Sequence, residues 1–173
     1  LTYDDVLNQQ REVIYKQRRD VLEGKDLGGM IREWIGSVME EKVLSYLDHD
    51  TDTYNYDALL SSVVGAVLHN AYTEEQIRAM DEQAIAKAAV ECAMKLYASR
   101  EALWQSVNID MREIERTLLL RSVDEKWMDH LDAMDELKNS IGLNAYAQRN
   151  PVTEYRLVGA DMFDNMIADI KET

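Results

Sequence analysis

His130 stands among Asp129, Asp132 and Asp135, and a divalent metal site is the first chemistry such a row suggests, because acids spaced three apart fall on one helix face. The surroundings of the imidazole argue against it. His130 has no acid one turn before or after it, a hard cation wants more convergent oxygen ligands, and acids along an outer helix face are ordinarily solvated. Carboxylate-bridged di-metal bundles require Glu-x-x-His, and none of His49, His69 and His130 follows a Glu at that spacing. Seven residues after Val123 and seven before Leu137, His130 is expected to be a partly buried, hydrogen-bonded structural residue. No metal site is expected.

Other catalytic constellations are absent from the sequence. There is no Gly-rich phosphate loop, no Gly-Lys-Ser or Gly-Lys-Thr, no Cys-x-x-Cys, no His-Glu-x-x-His and no Gly-x-Ser-x-Gly. A self-contained enzyme is therefore not expected, and no catalytic or cofactor-binding residue is assigned. Cys92, between alanines and Met94 with only Lys95 as a nearby cation, reads as a small core hydrophobe. Trp34, Trp104 and Trp127 recur with Leu and Met at helical spacing, which favours core packing over a recognition surface. Tyr146 differs, because it lies in a short connection with Ala neighbours and with Gln148 and Arg149 close by. The residues alone leave open whether it reaches a partner or folds back to staple its own turn.

The elements that must position these residues read as helices throughout. In residues 1–24, Leu7, Ile14 and Val21 fall seven apart, flanked by Val6, Val13 and Leu22, which lays an apolar stripe along one helix ended by Gly24. The Gly-Lys-Asp-Leu-Gly-Gly run at 24–29 is the linker candidate. Residues 25–108 form a helical subdomain. Ile31, Trp34, Ile35 and Val38 mark its first helix, and Leu59 through Leu68 mark a short apolar one. The capping box Thr73-Glu74-Glu75-Gln76 begins a helix expected to continue through the alanine-rich 84–93 toward Trp104. In residues 109–173, Leu120, Trp127, Met134 and Ile141 recur at seven, with Val123, Leu131 and Leu137 between, predicting one helix of roughly 50 Å from Ile109 to Leu143. Asn144 to Pro151 makes the turn, and Tyr155, Val158, Met162 and Met166 set the inner face of a return helix. The expected fold is all-α, a long first helix, a helical middle subdomain and an antiparallel two-helix hairpin.

Composition agrees. Among 173 residues there are only 7 Gly and 1 Pro, which leaves few turn-makers and excludes an all-β sandwich or barrel. The net charge of −14 repels phosphate backbones, so no nucleic-acid partner is expected. That acidity is uneven, with five acids against four bases in residues 1–24, fourteen against seven in 25–108 and fourteen against eight in 109–173. A single Cys allows no intrachain disulfide. No window reaches the ~18 consecutive apolar residues of a membrane span. Beginning at Leu1, the chain is expected to be a piece of something longer, with an apolar stripe on residues 6–22 and parts of the 109–173 hairpin that absent domains would cover and that would otherwise drive self-association.

Two long strings carry a family resemblance. Tyr3-Asp4-Asp5-Val6-Leu7-Asn8-Gln9-Gln10-Arg11, continuing through Val13-Ile14-Tyr15 to Arg18-Arg19, resembles the start of the long scaffold helix of the SecA family, the bacterial protein-translocation ATPases. Trp127, then His130 through Asp135, Ile141-Gly142-Leu143, Tyr146-Ala147-Gln148-Arg149-Asn150-Pro151 and Glu154-Tyr155 resemble that family's two-helix finger. The resemblance implies that residues 1–24 are the first part of a helical scaffold domain, 25–108 a helical wing domain, and 109–173 the second part of the scaffold with its finger. It also implies that ATP and Mg belong to motor domains of the parent protein lying before Leu1, that a zinc-binding tail follows Thr173, and that this segment holds no cofactor.

The implied partners are the motor domains, the SecYEG channel and preprotein, at the cytoplasmic, inner face of the bacterial membrane. By resemblance Tyr146 is the tip aromatic, Asn144, Gln148 and Arg149 lie beside it as channel and preprotein contacts, and Tyr3, Asp5 and Arg11 fall on the motor-docking part of the first helix. The family commonly has His where Gly142 stands and a basic residue where Asn144 stands, so one polar contact is expected to be lost or moved to Arg149. The rival expectation is a free-standing acidic helical interaction module that needs no motor.

Overall fold

The computed structural model describes residues 2–24, 26–48, 53–143 and 150–172. The chain divides into two units, one made of Leu1–Leu27 with Arg112–Thr173 and the other of Gly28–Met111. The fold is all-α. Two two-residue strands, β1 (Leu47–Asp48) and β2 (Thr53–Tyr54), pair antiparallel with Leu47 opposite Tyr54, and they are the sole strands among the described residues.

The first unit contains α1 (Tyr3–Leu22), α7 (Met111–Leu143) and α8 (Pro151–Glu172). Helix α1 starts at a capping box formed by Thr2 and Asp5. The Thr2 hydroxyl accepts from the Asp5 N–H at 3.2 Å, while the Asp5 carboxylate accepts from the Thr2 N–H at 2.8 Å. Its far end closes on Gly24 at φ +70°, where the Arg116 guanidinium of α7 donates to the Val21 carbonyl at 3.3 Å, placing a cation at a helix C-terminus. Of the expected row, Ile14 and Val21 are buried and Leu7 is half-buried against the core; Val6 and Gln10 complete the buried line, while the flanking Val13 and Leu22 are exposed. Of the stripe that absent domains were expected to cover, Val6, Ile14 and Val21 are buried within their own unit, whereas Val13 and Leu22 stay exposed.

Helix α7 spans 33 residues, about 50 Å. It begins at Met111, because Asn108 at φ +61° and the Ile109 N–H to Trp104 carbonyl bond of 2.9 Å first close the preceding helix. His130 faces Phe163 and Met134 faces Gly159, so numbers fall along α7 as they rise along α8, and the two run antiparallel. Val6, Met134, Ile141 and Tyr155 form the core at one end.

The second unit holds α2 (Leu27–Tyr46, whose first residue belongs to the other unit), α3 (Tyr56–Ser61), α4 (Val63–Leu68), α5 (Glu74–Ala79) and α6 (Glu82–Ser106). Gly28 and Gly29, expected in a linker, lie inside α2. The inner residues of α2 are Met39 and Val43, with Trp34, Ile35 and Val38 only half-buried. Two expected single helices are each two. Ser62 is extended and separates α3 from α4, its hydroxyl donating to the Leu59 carbonyl at 2.6 Å. The Thr73–Gln76 capping box forms as expected, but Met80 is extended and Asp81 starts α6 afresh by accepting from the Ala84 N–H at 2.7 Å. An N-cap aspartate competes well with helix continuation, and no Pro or Gly is needed to make the break. Leu59, Leu68 and Ile77 are fully buried in one core with Ile85 and the alanines of α6, each contributing roughly 1.5–3 kcal/mol.

Candidate functional site

Three helices of the first unit meet at one buried polar joint. Gln10 of α1 donates from Nε2 to the Gly159 carbonyl of α8 at 3.2 Å, and its Oε1 lies 2.7 Å from His130 Nε2 of α7. Because the amide nitrogen is engaged by a carbonyl, Oε1 must be the acceptor toward His130, which assigns the neutral imidazole the Nε2–H tautomer. Gln10 and His130 are 8 % and 4 % exposed, so neither has a water alternative. The imidazole lies beside the Trp127 ring at 5.5 Å and meets Phe163 edge-on at 5.7 Å. Gly159 permits the close approach, since a Cβ there would sit 2.6 Å from Met134 Cε and 3.5 Å from Gln10 Nε2.

His130 is thus the buried, hydrogen-bonded structural residue that its place in the heptad suggests, while Asp129, Asp132 and Asp135 stay on the exposed side. Among the described residues no group of three or more His, Cys, Asp or Glu is arranged to hold a metal. Burial holds the imidazole pKa below its ordinary value near 6.5. The folded state favours the neutral ring, so this stability is present above about pH 6.5 and lost as pH falls through that value toward the folded pKa. Urea unfolding between pH 7.5 and 5.5 is expected to show stability falling with pH, by at most about 1.4 kcal/mol per pH unit for one proton. A flat profile would contradict the burial of a neutral ring.

Residues tied to function by resemblance are placed as follows. Tyr3 is half-buried, packs edge-on against Tyr155 at 4.9 Å and carries the Lys138 ammonium 5.2 Å above its ring, so much of its surface serves its own unit. Asp5 is spent on the α1 cap, its carboxylate pKa lowered by the Thr2 N–H. Arg11 donates to Asn8 Oδ1 at 2.8 Å and lines an outer groove of α1 with Glu12, Tyr15, Lys16 and Arg19. Asn144, Tyr146, Gln148 and Arg149 lie outside the described residues. Tyr155 is fully buried, and its hydroxyl has no hydrogen-bond partner among the described residues. Burial, reinforced by Asp135 and Asp4, pushes that phenol's pKa up. Tyr155→Phe is expected to raise stability by about 1 kcal/mol, since it removes a desolvated, unsatisfied group. A loss of that size in chemical denaturation would show that the hydroxyl is partnered.

The profile of the SecA wing and scaffold domain matches residues 1–173, the whole chain. The chain belongs to the SecA wing and scaffold family. It is similar to the protein translocase subunit SecA of Desulforamulus reducens, at 45% identity over 99% of this chain and 20% of that protein. Similar relatives are the SecA subunits of Pelotomaculum thermopropionicum, 43% identical over 99% of this chain and 20% of the relative, and Clostridium perfringens, 42% identical over 99% and 21%. The chain therefore spans about a fifth of the length of the curated relatives it matches. No helix among the described residues is long and apolar enough to cross a membrane.

For a SecA scaffold, the residues that join its separate segments are Gln10 and Gly159, and sequence reasoning missed both. The signal was present: Gln10 falls four after Val6 and four before Ile14, a polar residue on a buried row, and Gly159 falls four after Tyr155. Glycine inside a helix costs roughly 1 kcal/mol against alanine, and that cost marks a close contact.

Proposed function

We propose that this chain is the scaffold and wing portion of a SecA preprotein translocase motor. In this reading α1 docks and regulates the ATPase domains of the same parent protein, which bind ATP and Mg, while the segment itself performs no nucleotide chemistry. Helices α7 and α8 are the finger stem, and residues 144–149 are the loop that meets preprotein at the SecYEG channel. The protein would sit peripherally at the cytoplasmic face of the bacterial membrane. The observation that supports this most is the joint itself. A stem about 50 Å long is stiff along its axis, and Gln10 ties both of its helices to α1, so a displacement at the scaffold is carried to the tip instead of being absorbed by side-chain slippage.

Tyr146→Ala in the full-length parent protein is expected to reduce preprotein translocation into channel-bearing vesicles about tenfold, the equivalent of losing one apolar aromatic contact of about 1.4 kcal/mol. Nucleotide binding and thermal unfolding should stay at wild-type values, because the residue lies beyond the stem. Unchanged translocation would overturn the loop's role. A parallel loss of nucleotide binding would relocate the effect to folding.

A further inference from the structure

We propose that Gln10 is the register key of the first unit, a conformational device in which one amide sets the axial position of α8 against α7. The apolar contacts between these helices do not set it alone. Along α8 the inner positions are Val152, Tyr155, Gly159, Met162, Met166 and Ile170, and along α7 they are Met134, Leu137 and Ile141; a slide of one turn again brings apolar against apolar, and the group packed on Gly159 is the flexible end of Met134, which repacks readily. The amide is different in kind, because its bonds have direction and each side of it is engaged by a different helix. A one-turn slide of α8 would bring Tyr155 or Phe163 into the place of Gly159. Their Cβ atoms and rings would cover the carbonyl, and the buried amide and imidazole would be left without partners. A buried polar group that specifies register among degenerate apolar contacts is the best-attested use of such groups. This inference is independent of any role for residues 144–149.

Spin labels test it on the 173-residue chain. Nitroxides are placed at the exposed positions Glu125 on α7 and Arg156 on α8, after Cys92→Ala removes the chain's one other thiol. Arg156 lies opposite the turn near Leu137, roughly 18 Å along the axis from Glu125, so a one-turn slide of about 5.4 Å changes the measured distance by several ångströms. The otherwise wild-type chain is expected to give one distance. Gln10→Leu, similar in size and apolar, is expected to give a second population displaced by up to about 5 Å. Gln10→Glu keeps an acceptor for His130 but cannot donate to Gly159, and is expected to show the same displacement in smaller proportion. A single wild-type distance in Gln10→Leu overturns the proposal. So does unfolding of both variants, because a register key predicts a folded but displaced pair.

Discussion

Gly65→Ala is expected to destabilise the Gly28–Met111 unit by about 3 kcal/mol or more, lowering its thermal midpoint by roughly 12 °C or more. Gly65 is buried in the first turn of α4, where the extended Ser62 folds that helix back upon the end of α3. A Cβ at Gly65 would overlap the Leu60 carbonyl oxygen and lie 2.5 Å from its carbon. Both are backbone atoms, so no rotamer change can relieve the overlap and the corner itself must open. Opening it withdraws Leu59, Val64 and Leu68 from the core they share with α6. Gly142 provides the opposite case, since it lies exposed in α7 with nothing within 4 Å of an added Cβ. Gly142→Ala should be neutral or stabilising by up to about 1 kcal/mol through helix propensity. Calorimetry of both variants checks the contrast, and a Gly65→Ala chain melting within 2 °C of wild type would refute the corner argument.

The second large effect concerns the joint. Gln10→Leu alone is expected to cost about 1–3 kcal/mol, because it strands the His130 N–H in an apolar site, and His130→Phe alone should cost a similar amount by stranding the Gln10 oxygen. The double variant replaces both partners with apolar groups of similar size and should lose much less than the sum. The coupling energy expected from the double-mutant cycle is about 1–2 kcal/mol, well above the few tenths by which independent sites fail to add. The double variant should also lose the fall in stability between pH 7.5 and 5.5, since the titrating ring is gone. Typical domain stabilities of roughly 5–15 kcal/mol leave the single variants folded and measurable. Strict additivity in urea unfolding would show that Gln10 and His130 do not depend on each other.

Much of this architecture is legible in the chain because helical spacing is a local signal. Trp127, Met134 and Ile141 are buried on one face of α7, and Tyr155, Met166 and Ile170 on one face of α8, because alternating polar and apolar positions leave no other face to bury. Helix ends were less legible. Asp81 and Ser62 interrupt runs that look continuous, because a single capping or extended residue changes the backbone path without changing the apolar pattern. The two-residue ladder at Leu47 and Tyr54 was also unforeseen, since strands that short carry no period.

By itself the sequence determined the helical class, the burial of His130 and, through two long strings at its ends, membership of the SecA wing and scaffold family. These follow from residue type and from spacing within a turn or two. Only the tertiary structure decided that Gln10, His130 and Gly159 meet, across separations of 120 and 149 positions. It alone decided that Gly65 lies against the Leu60 carbonyl and Gly159 against Met134. Contacts between distant segments depend on where backbones approach most closely. A glutamine or a glycine carries no mark of its partner until the helices on either side of it have packed.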